Sequence, residues 1–542
     1  MTVHLSSSLF APKFQPIEKI LQSRGLILLL AVNFLVGLGS TPLFDLDEGA
    51  FSSATMEMLI RGDFITTYMG GELRFDKPIL IYWLQAISVF LFGLNEFSLR
   101  LPSALCATLW CWAIYEFCRQ LLDTSKAATA CILLASSLII SIIARAATAD
   151  ALLNLWICLA LFDAYRHFNQ QHTHSQASSK YALRAYMWVG LGVLTKGPIA
   201  ILIPIASITI YALLSKKFKA WQGLLINPLG WLICLTVFLP WYIAEYLAQG
   251  QAFIDGFFLK HNLSRFSNTM ENHGGNLLYY LPVSLLVFMP VTGFFLQLLS
   301  HLRLFFSSSA LKRLDSLDIF CWSWFLFVLI FFSFSKTQLP HYLLYGVTPI
   351  FILMAKYRDQ LRSRYLVALP IVLLMLLLIF LPEIGQYIIA HEKKIEVVAM
   401  VRDGLPFLDL QYRLSIFFAL LLILIILFRS QYVLWLRQVL ASIIFSLTII
   451  HVVIPAYASI QQQPVKQAGI FAQKITQPIV MWRHDMPSFS IYLQKVVPIR
   501  EPRSGEVVFT GLENLQAFPN AEVLFNKGGV ILVKLPKMKG SS

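Results

Sequence analysis

Three carboxylates follow the first long apolar run of the chain. The stretch FDLDEGAF carries Asp45, Asp47 and Glu48 directly after the apolar run 26–43. Ionisable side chains near a membrane are costly unless they are paired, so by default they mark a functional site. One acid would suffice to cap the helix that follows, and three acids so close together exceed that need. The stretch therefore predicts a helix cap together with at least one group that accepts a proton or orients a substrate.

Further acidic and basic side chains recur in short motifs over the following part of the chain. These motifs are LRFDKPILIYW, ARAATADALL, LTKGPIA, LKHNLSRFSNTMENHGGNLLYY and FSKTQLPHY. Carboxylates beside cations suit a site that holds an anionic ligand and also accepts a proton. The residues of interest are Asp76, Lys77, Arg145, Asp150, Lys196, His261, Arg265, His273, Lys336 and His341.

Each motif also has an ordinary structural interpretation, which the sequence leaves open. Lys77 precedes a proline and an aromatic pair, which is typical of a lysine that reaches to the membrane interface. Lys196 and Lys336 would contact lipid phosphate from turns at the outer face. Arg145 and Asp150 flank a turn and would cap helix ends. Only the motifs taken together therefore indicate a functional site.

The loop histidines suggest a divalent cation. His261 and Arg265 are four residues apart and share a face if the segment is helical. His273 precedes two glycines, which permit a tight turn. A histidine pair with a carboxylate from another loop is a suitable ligand set for a divalent metal. Histidines that are simply hydrogen-bonded within a loop explain the same pattern equally well.

The composition indicates a membrane protein with many spans. Of the 542 residues, 57% are hydrophobic and 13% are charged, whereas soluble domains are about a quarter charged. The formal net charge is +14, but the basic residues form short clusters between apolar runs, as orientation signals do. This pattern excludes a nucleic-acid partner. The seven cysteines lie within apolar runs without the spacing of a metal site or a disulfide framework.

The positions of the basic clusters predict the topology. If all fourteen apolar runs crossed the membrane, the clusters at 216–219, 312–313 and 356–364 would lie outside, against the positive-inside rule. Moving the run 79–94 out of the membrane, as an interfacial helix on the outer surface, places these clusters inside. The result is about thirteen spans, with an uncleaved signal anchor, a cytoplasmic N-terminus and an outer C-terminus.

The predicted organisation has a membrane domain and a small outer domain. The membrane domain covers 1–456, and its long first outer loop, 44–99, contains the interfacial helix. After that the composition becomes polar, and the β-like runs PIVMW, EVVFT and GGVILVKL predict a soluble α/β domain over 457–542. With this topology, the chemically interesting residues all fall at the outer face.

An ordered series of motifs over about residues 20–360 resembles a known family. The chain is similar to bacterial polyprenyl-phosphate-sugar glycosyltransferases of the GT-C fold, such as the aminoarabinose transferases of lipid A modification. It is more distantly similar to protein O-mannosyltransferases. The motifs are DLDEGAFSSATMEMLIRGDF, FDKPILIYW, RLPSAL, ARAATAD, LTKGP, PWY, FFLKHNLSRF, HGGNLLYYLP and FSFSKTQLPHYLL.

The resemblance implies a role for each residue of the motifs. It implies catalytic acids at Asp47, with Glu48 in support, and at Asp150. It implies a metal site for a divalent cation at Asp76 with His261 or His273, although the family commonly has Glu at the position of Asp76. No nucleotide is implied. The residues implied to bind the donor phosphate are Lys77, Lys196, Arg265, Lys336 and Tyr342.

The implied enzyme is an inverting glycosyltransferase of the bacterial inner membrane with a periplasmic active site. It would move a sugar from undecaprenyl phosphate to lipid A or a related lipopolysaccharide glycolipid, with the polyprenyl tail in grooves between spans. The alternative is transfer to Ser or Thr of exported proteins, which requires a true base. A transporter or flippase is less favoured, because such proteins place charges near the midplane and show inverted repeats.

Overall fold

The computed structural model describes residues 24–170, 175–264, 275–306 and 314–536. In chain order, the α-helices of the first half begin with α1, Arg24–Phe34. The others are α2 Asp47–Arg61, α3 Leu80–Phe92, α4 Glu96–Leu121, α5 Thr124–Ala135, α6 Leu138–Ala144, α7 Asp150–Gln170, α8 Ser175–Lys196, α9 Ile199–Leu214, α10 Phe218–Leu225, α11 Pro228–Gln249 and α12 Gln251–Phe253.

A wide-turned π-helix, Ile254–Ser264, continues α12 and carries His261. The helices of the second half are α13 Tyr280–Val287, α14 Thr292–Phe305, α15 Ser316–Ser333, α16 Thr348–Lys356, α17 Arg364–Ile379, α18 Leu381–His391, α19 Ile395–Gly404, α20 Leu410–Phe428, α21 Leu434–Thr448, α22 Ile454–Gln461, α23 Gln463–Ala472 and α24 Ser488–Leu493.

Shorter helical segments connect these helices. Four are 3₁₀-helices and one, between α21 and α22, is a second π-helix. They are Pro340–Gly346, Arg358–Gln360, Leu405–Phe407, Leu512–Ala517 and Ile449–Val453.

The helices form a multi-pass membrane protein. In the described part of the chain, five helices are long and apolar enough to cross a bilayer, or seven if each of two bent helix pairs crosses as one span. The figure of about thirteen spans remains a prediction. The five are α4, α11, α15, α20 and the continuous segment Leu434–Gln461, and the bent pairs are α5 with α6 and α17 with α18.

The first loop after α1 contains two helices and a hairpin. Strands β1, Tyr68–Met69, and β2, Glu72–Leu73, pair antiparallel around Gly70 and Gly71. Both glycines have positive φ, 64° and 88°, which a two-residue turn of this hand requires. Helix α3 corresponds to the run 79–94, which was predicted as an interfacial helix. Its buried face packs on the core, while its exposed face presents large apolar side chains, as contact with lipid would require.

The C-terminal sheet has four strands in the order β3-β4-β6-β5. They are β3 Ile479–Met481, β4 Val507–Gly511, β5 Glu522–Lys527 and β6 Val530–Lys534. β3 pairs parallel with β4, and the other pairs are antiparallel. The three predicted β-runs correspond to β3, β4 and β6, whereas the more polar β5 had no clear signal. Helices α23 and α24 cover one face of the sheet with apolar side chains.

A buried ion pair joins the first loop to α4. The guanidinium of Arg100 binds both oxygens of Glu48, with Nε–Oε1 and Nη2–Oε2 distances of 2.8 Å. The two residues are 2% and 3% exposed. The remaining donors of Arg100 bind the carbonyls of Leu38, Thr41 and Pro42. The pair therefore fixes the segment after α1 and the start of α2 on α4.

Breaking this pair should destabilise the protein strongly. Glu48→Gln keeps the shape of the side chain but leaves the Arg100 charge buried without a counter-ion. The expected loss in the free energy of unfolding is about 3–5 kcal/mol, measured by thermal or denaturant unfolding of the purified protein. Glu383→Gln is the matched control, because its pair with Arg413 is solvent-exposed and should contribute little. Equal stability of both variants would contradict this role.

Candidate active site

The predicted site residues converge on a polar cavity of about 640 Å³. It lies between the start of α2, the hairpin β1–β2, the start of α7, the end of α8 and the loop that precedes α24. The ionisable side chains that line it are Asp47, Glu72, Arg74, Asp76, Lys77, Asp150, Lys196, His261, His341 and Asp485.

Asp47 is the acid of the opening motif that faces this cavity. It is the first residue of α2, yet the N-cap position is Leu46 and no side chain caps the helix. The interpretation of Asp45 or Asp47 as a cap is therefore wrong. Asp45 instead accepts hydrogen bonds from the backbone N–H and the hydroxyl of Ser488. The three acids have separate environments: Asp47 in the cavity, Glu48 in the ion pair and Asp45 at the C-terminal segment.

The hairpin holds the segment 74–77 against the cavity. The buried carboxylate of Glu57 accepts the N–H of Gly70 at 2.5 Å and the N–H of Gly71 at 3.2 Å. Burial, opposed by these two hydrogen bonds, raises the pKa of Glu57 above its usual value. Because the turn is fixed on α2, the residues that follow β2 have a defined position beside Asp47.

Asp76 is the centre of a cluster of charges. Its Oδ1 lies 2.6 Å from Lys77 Nζ and 3.3 Å from His261 Nδ1, and its Oδ2 lies 3.0 Å from Arg74 Nη2. A divalent cation would therefore compete with two permanent cations for one carboxylate. Within the described ranges, no group of three His, Cys, Asp or Glu side chains is arranged to hold a metal. The described residues fit an ion-pair cluster better than a metal site.

Asp150 and Lys196 form the second charged group of the cavity. Lys196 Nζ lies 2.6 Å from Asp150 Oδ1 and 2.8 Å from the hydroxyl of Tyr345. The same hydroxyl donates to Asp150 Oδ1 at 3.0 Å. Asp150 begins α7 and Lys196 ends α8, so the antiparallel packing of these helices brings together residues 46 positions apart. The interpretation of Asp150 as a helix cap does not account for this ion pair.

A second, apolar cavity of about 550 Å³ adjoins the polar one. The two share four lining residues, Asp76, Lys77, Lys196 and His261. The rest of the apolar cavity is formed mainly by hydrophobic and aromatic side chains of α9, α15 and the 3₁₀-helix 340–346. Tyr342, predicted to line the donor-phosphate pocket, lies on this wall. Charged groups therefore stand where an apolar channel meets a polar chamber.

Two predicted residues line neither cavity, and two more are not among the described residues. Glu48 is buried in its pair with Arg100 and lines neither cavity. Lys336 is exposed and also lines neither. Arg265 and His273 belong to the range 265–274, outside the described residues.

The C-terminal segment completes the polar cavity. Asp485, Pro487 and Ile499 line it, and all three belong to the range 457–542 that was predicted as a soluble α/β domain. Three contacts fix the segment, namely the hydrogen bonds of Ser488 with Asp45, the hydrogen bond from Leu43 N–H to the hydroxyl of Tyr492 at 2.7 Å, and the Lys466–Glu96 ion pair.

Sequence reasoning missed Glu57, Tyr345 and Asp485 and gave Arg74 no role. For Tyr345 a signal existed, because it directly follows the motif FSFSKTQLPHYLL and lies one helical turn beyond Tyr342. Asp485 had none, since its partners in the cavity are hundreds of residues away.

Comparison with known sequences finds relatives over much of the chain. A family model of dolichyl-phosphate-mannose-protein mannosyltransferases matches residues 76–243. An uncharacterized protein of Aquifex aeolicus is 30% identical over 67% of this chain and 78% of its own length. An undecaprenyl phosphate-alpha-4-amino-4-deoxy-L-arabinose arabinosyl transferase of Yersinia enterocolitica is 29% identical. That match covers 62% of this chain, but only 60% of the relative's length.

Solved structures show the same fold. ArnT of Cupriavidus metallidurans, crystallised with undecaprenyl phosphate, matches with a TM-score of 0.75 at 19% identity, over 94% of this chain and 97% of that one. The chain has the GT-C fold. An oligosaccharyltransferase of Archaeoglobus fulgidus is a more distant neighbour of this GT-C protein, with a TM-score of 0.52 at 13% identity, over 90% of this chain and 65% of its own.

The contact between Asp45 and Ser488 predicts a pH dependence of stability for this GT-C protein. Burial raises the pKa of Asp45 from 3.8 to about 7, although the hydrogen bonds from Ser488 oppose the rise. Between these two pH values the folded protein retains a proton that the unfolded chain releases. The contribution of Asp45 to stability therefore falls as the pH rises through this range.

Asp45→Asn should remove this part of the pH dependence. The measurement is the midpoint of thermal unfolding against pH for the wild type and the variant. We expect the wild-type curve to fall more steeply than that of Asp45→Asn between pH 3.8 and about 7, while the exposed-site control Asp359→Asn follows the wild type. Parallel curves for all three proteins would show that Asp45 is not buried as described.

Proposed function

We propose that this protein transfers a sugar from an undecaprenyl-phosphate carrier to lipid A or a related envelope glycolipid. The observation that carries the proposal is the junction of the two cavities at Lys77 and Lys196. An apolar channel suits the prenyl chain, the lysines suit its phosphate, and the polar chamber suits a sugar and an acceptor. The names and folds of the relatives support the same assignment.

Lys77 and Lys196 stabilise the departing lipid phosphate. Negative charge builds up on this phosphate as the bond to the anomeric carbon breaks, and fixed cations are most effective where charge develops. Each lysine is held in place by a carboxylate, Lys77 by Asp76 and Lys196 by Asp150. Both carboxylates therefore act as positioning groups for the cations, and the hydroxyl of Tyr345 orients the second pair.

Asp47 faces the acceptor. It is exposed within the polar cavity, where it can meet the nucleophile on the side opposite the leaving phosphate, as inversion requires. If the acceptor oxygen belongs to a phosphate, it is already ionised and Asp47 only orients it. If the acceptor is a hydroxyl, Asp47 removes its proton as a general base. Glu48 supports Asp47 by fixing the first turn of α2 through Arg100.

The remaining assignments follow from the proposed topology. The polar cavity opens to the periplasm, the protein lies in the bacterial inner membrane, the N-terminus is cytoplasmic and the C-terminal sheet is periplasmic. The domains are 1–456 and 457–542, with the loop 44–99 and the C-terminal segment forming the chamber. No step requires a nucleotide. A divalent cation at Asp76 with His261 and His273 stays a prediction, and the mechanism does not use it.

The direct test is a transfer assay with purified protein, radiolabelled undecaprenyl-phosphate aminoarabinose and lipid A. Lys77→Ala should lower kcat by about 100-fold or more, because it removes a cation at the developing charge. Asp47→Asn should also lower kcat strongly. Lys393→Ala and Asp359→Asn, both at exposed sites away from the cavities, are the matched controls and should retain full activity. Full activity of Lys77→Ala and Asp47→Asn would refute the site.

The acceptor is tested in cells. The family model that matches residues 76–243 is named for transfer to proteins, so both acceptor classes are compared in one experiment. Mass spectra of lipid A and of periplasmic proteins are recorded from cells with and without the gene. We expect loss of an aminopentose increment from lipid A and unchanged proteins. Loss of a sugar from proteins, with lipid A unchanged, would instead support the protein O-glycosyltransferase.

A further inference from the structure

A third cavity lies between α4, α7 and α8, and its lining includes none of the residues of the first two. Its volume is about 520 Å³. We call it the distal cavity. It combines three tryptophans and several leucines with two arginines. Its characteristic residues are Trp112, Glu116, Trp156, Arg166, Arg184 and Trp188.

The distal cavity and the active site lie towards opposite ends of the same two helices. Asp150 begins α7 and Arg166 follows it by sixteen residues, which corresponds to about 24 Å along an α-helix. Lys196 ends α8 and Arg184 precedes it by twelve residues, about 18 Å. The longer of these separations approaches the hydrocarbon thickness of a bilayer, about 30 Å. With the predicted topology, the arginines therefore lie towards the membrane surface opposite the active site.

A buried carboxylate orients the two arginines. Asp163 is fully buried and binds Arg166 Nη1 at 3.0 Å and Arg184 Nε at 3.1 Å. The indole N–H of Trp188 donates to the same carboxylate at 3.0 Å. Since Arg184 uses Nε for this pair, its two Nη groups remain available, and they form no hydrogen bond within the described ranges. The Arg184 side chain is 49% exposed, so a ligand can reach it.

The charge and shape of the distal cavity suit an amphiphilic anion. Glu116 is already bound by Arg119 and Gln120 at 2.9 and 2.8 Å, so its charge is compensated. The rings of Trp156 and Trp188 stack with centroids 5.6 Å apart and form a flat wall. Tryptophans are typical of the zone where acyl chains meet headgroups. A phosphate group matches the paired N–H groups of a guanidinium.

We propose that the distal cavity binds an anionic glycerophospholipid of the leaflet opposite the active site. Its phosphate contacts Arg184 Nη1 and Nη2, and Arg166 adds positive charge. One acyl chain lies along Trp112 and Trp156. Basic pockets between spanning helices are suited to such headgroups. This binding site is separate from the proposed donor and acceptor sites and does not depend on the proposed function.

The test is a lipid titration of the purified full-length protein followed by native mass spectrometry. The probes are phosphatidylglycerol and phosphatidylcholine with identical acyl chains, and inorganic phosphate as a soluble competitor. Arg184→Gln should weaken phosphatidylglycerol binding about fivefold, the contribution of one basic side chain near an anionic headgroup. Arg362→Gln is the matched control, because Arg362 is exposed, lines none of the three cavities and lies on the same predicted membrane face.

The outcomes separate the proposal from its alternatives. Preference for phosphatidylglycerol that is lost in Arg184→Gln and kept in Arg362→Gln supports it. Trp112→Ala, which leaves the arginines intact, should also weaken binding, and it replaces Arg184→Gln if that variant does not fold. Equal binding by wild type, Trp112→Ala and Arg184→Gln would overturn the proposal. Displacement of the lipid by inorganic phosphate would also overturn it, since the site would then recognise a soluble anion.

Discussion

The buried ion pair of Glu48 and Arg100 is the constraint on which the active-site geometry depends. Glu48 uses both oxygens on Arg100 and also accepts the N–H of Ala147 at 2.7 Å and that of Phe44 at 2.8 Å. One carboxylate therefore fixes Phe44, three residues before Asp47, and the turn that leads to Asp150. Two charges buried together must be fully hydrogen-bonded to be tolerated, and here they are. The position of both acids follows from this single contact.

The cavity itself is arranged as paired charges rather than as isolated ones. Asp76 faces Lys77 and Arg74, while Asp150 faces Lys196 and Tyr345. Such pairs keep each cation in one orientation before a substrate enters. In the proposed mechanism, a lipid phosphate competes with the carboxylate for the lysine, which limits how tightly the product phosphate is held. Asp47 is different, because it stands in the polar chamber with its carboxylate exposed and so can address the acceptor.

The sequence predicted the parts of the fold that depend on local patterns. Apolar runs predicted a multi-pass helical protein, β-like runs predicted three strands of the C-terminal sheet, and the motifs led to Asp47, Lys77, Asp150 and Lys196, which share one cavity. What the sequence could not predict rests on contacts over long separations. The partner of Glu48, Arg100, is 52 residues away. The ion pair therefore left no local signal, and Glu48 was predicted to support Asp47 as its neighbour.

Other differences have the same origin. From its position before α2, Asp45 was interpreted as a helix cap. It instead contacts Ser488, 443 residues later. The C-terminal region was predicted as a soluble α/β domain from its change in composition, and composition carries no information about the surface that such a domain covers. The motifs around Lys336 and Lys196 looked equally suitable for a phosphate-binding lysine, but only Lys196 lines the cavity.

Lys77 and Lys196 stand where the apolar cavity meets the polar chamber, and this position makes them the proposed phosphate-binding residues. A cryo-electron microscopy structure of this protein with undecaprenyl phosphate tests it most directly. The account predicts phosphate density within hydrogen-bond distance of Lys77 Nζ or Lys196 Nζ, with the prenyl chain along Tyr342 and the apolar wall of α15. Phosphate density elsewhere, with both lysines still bound only to Asp76 and Asp150, would contradict it.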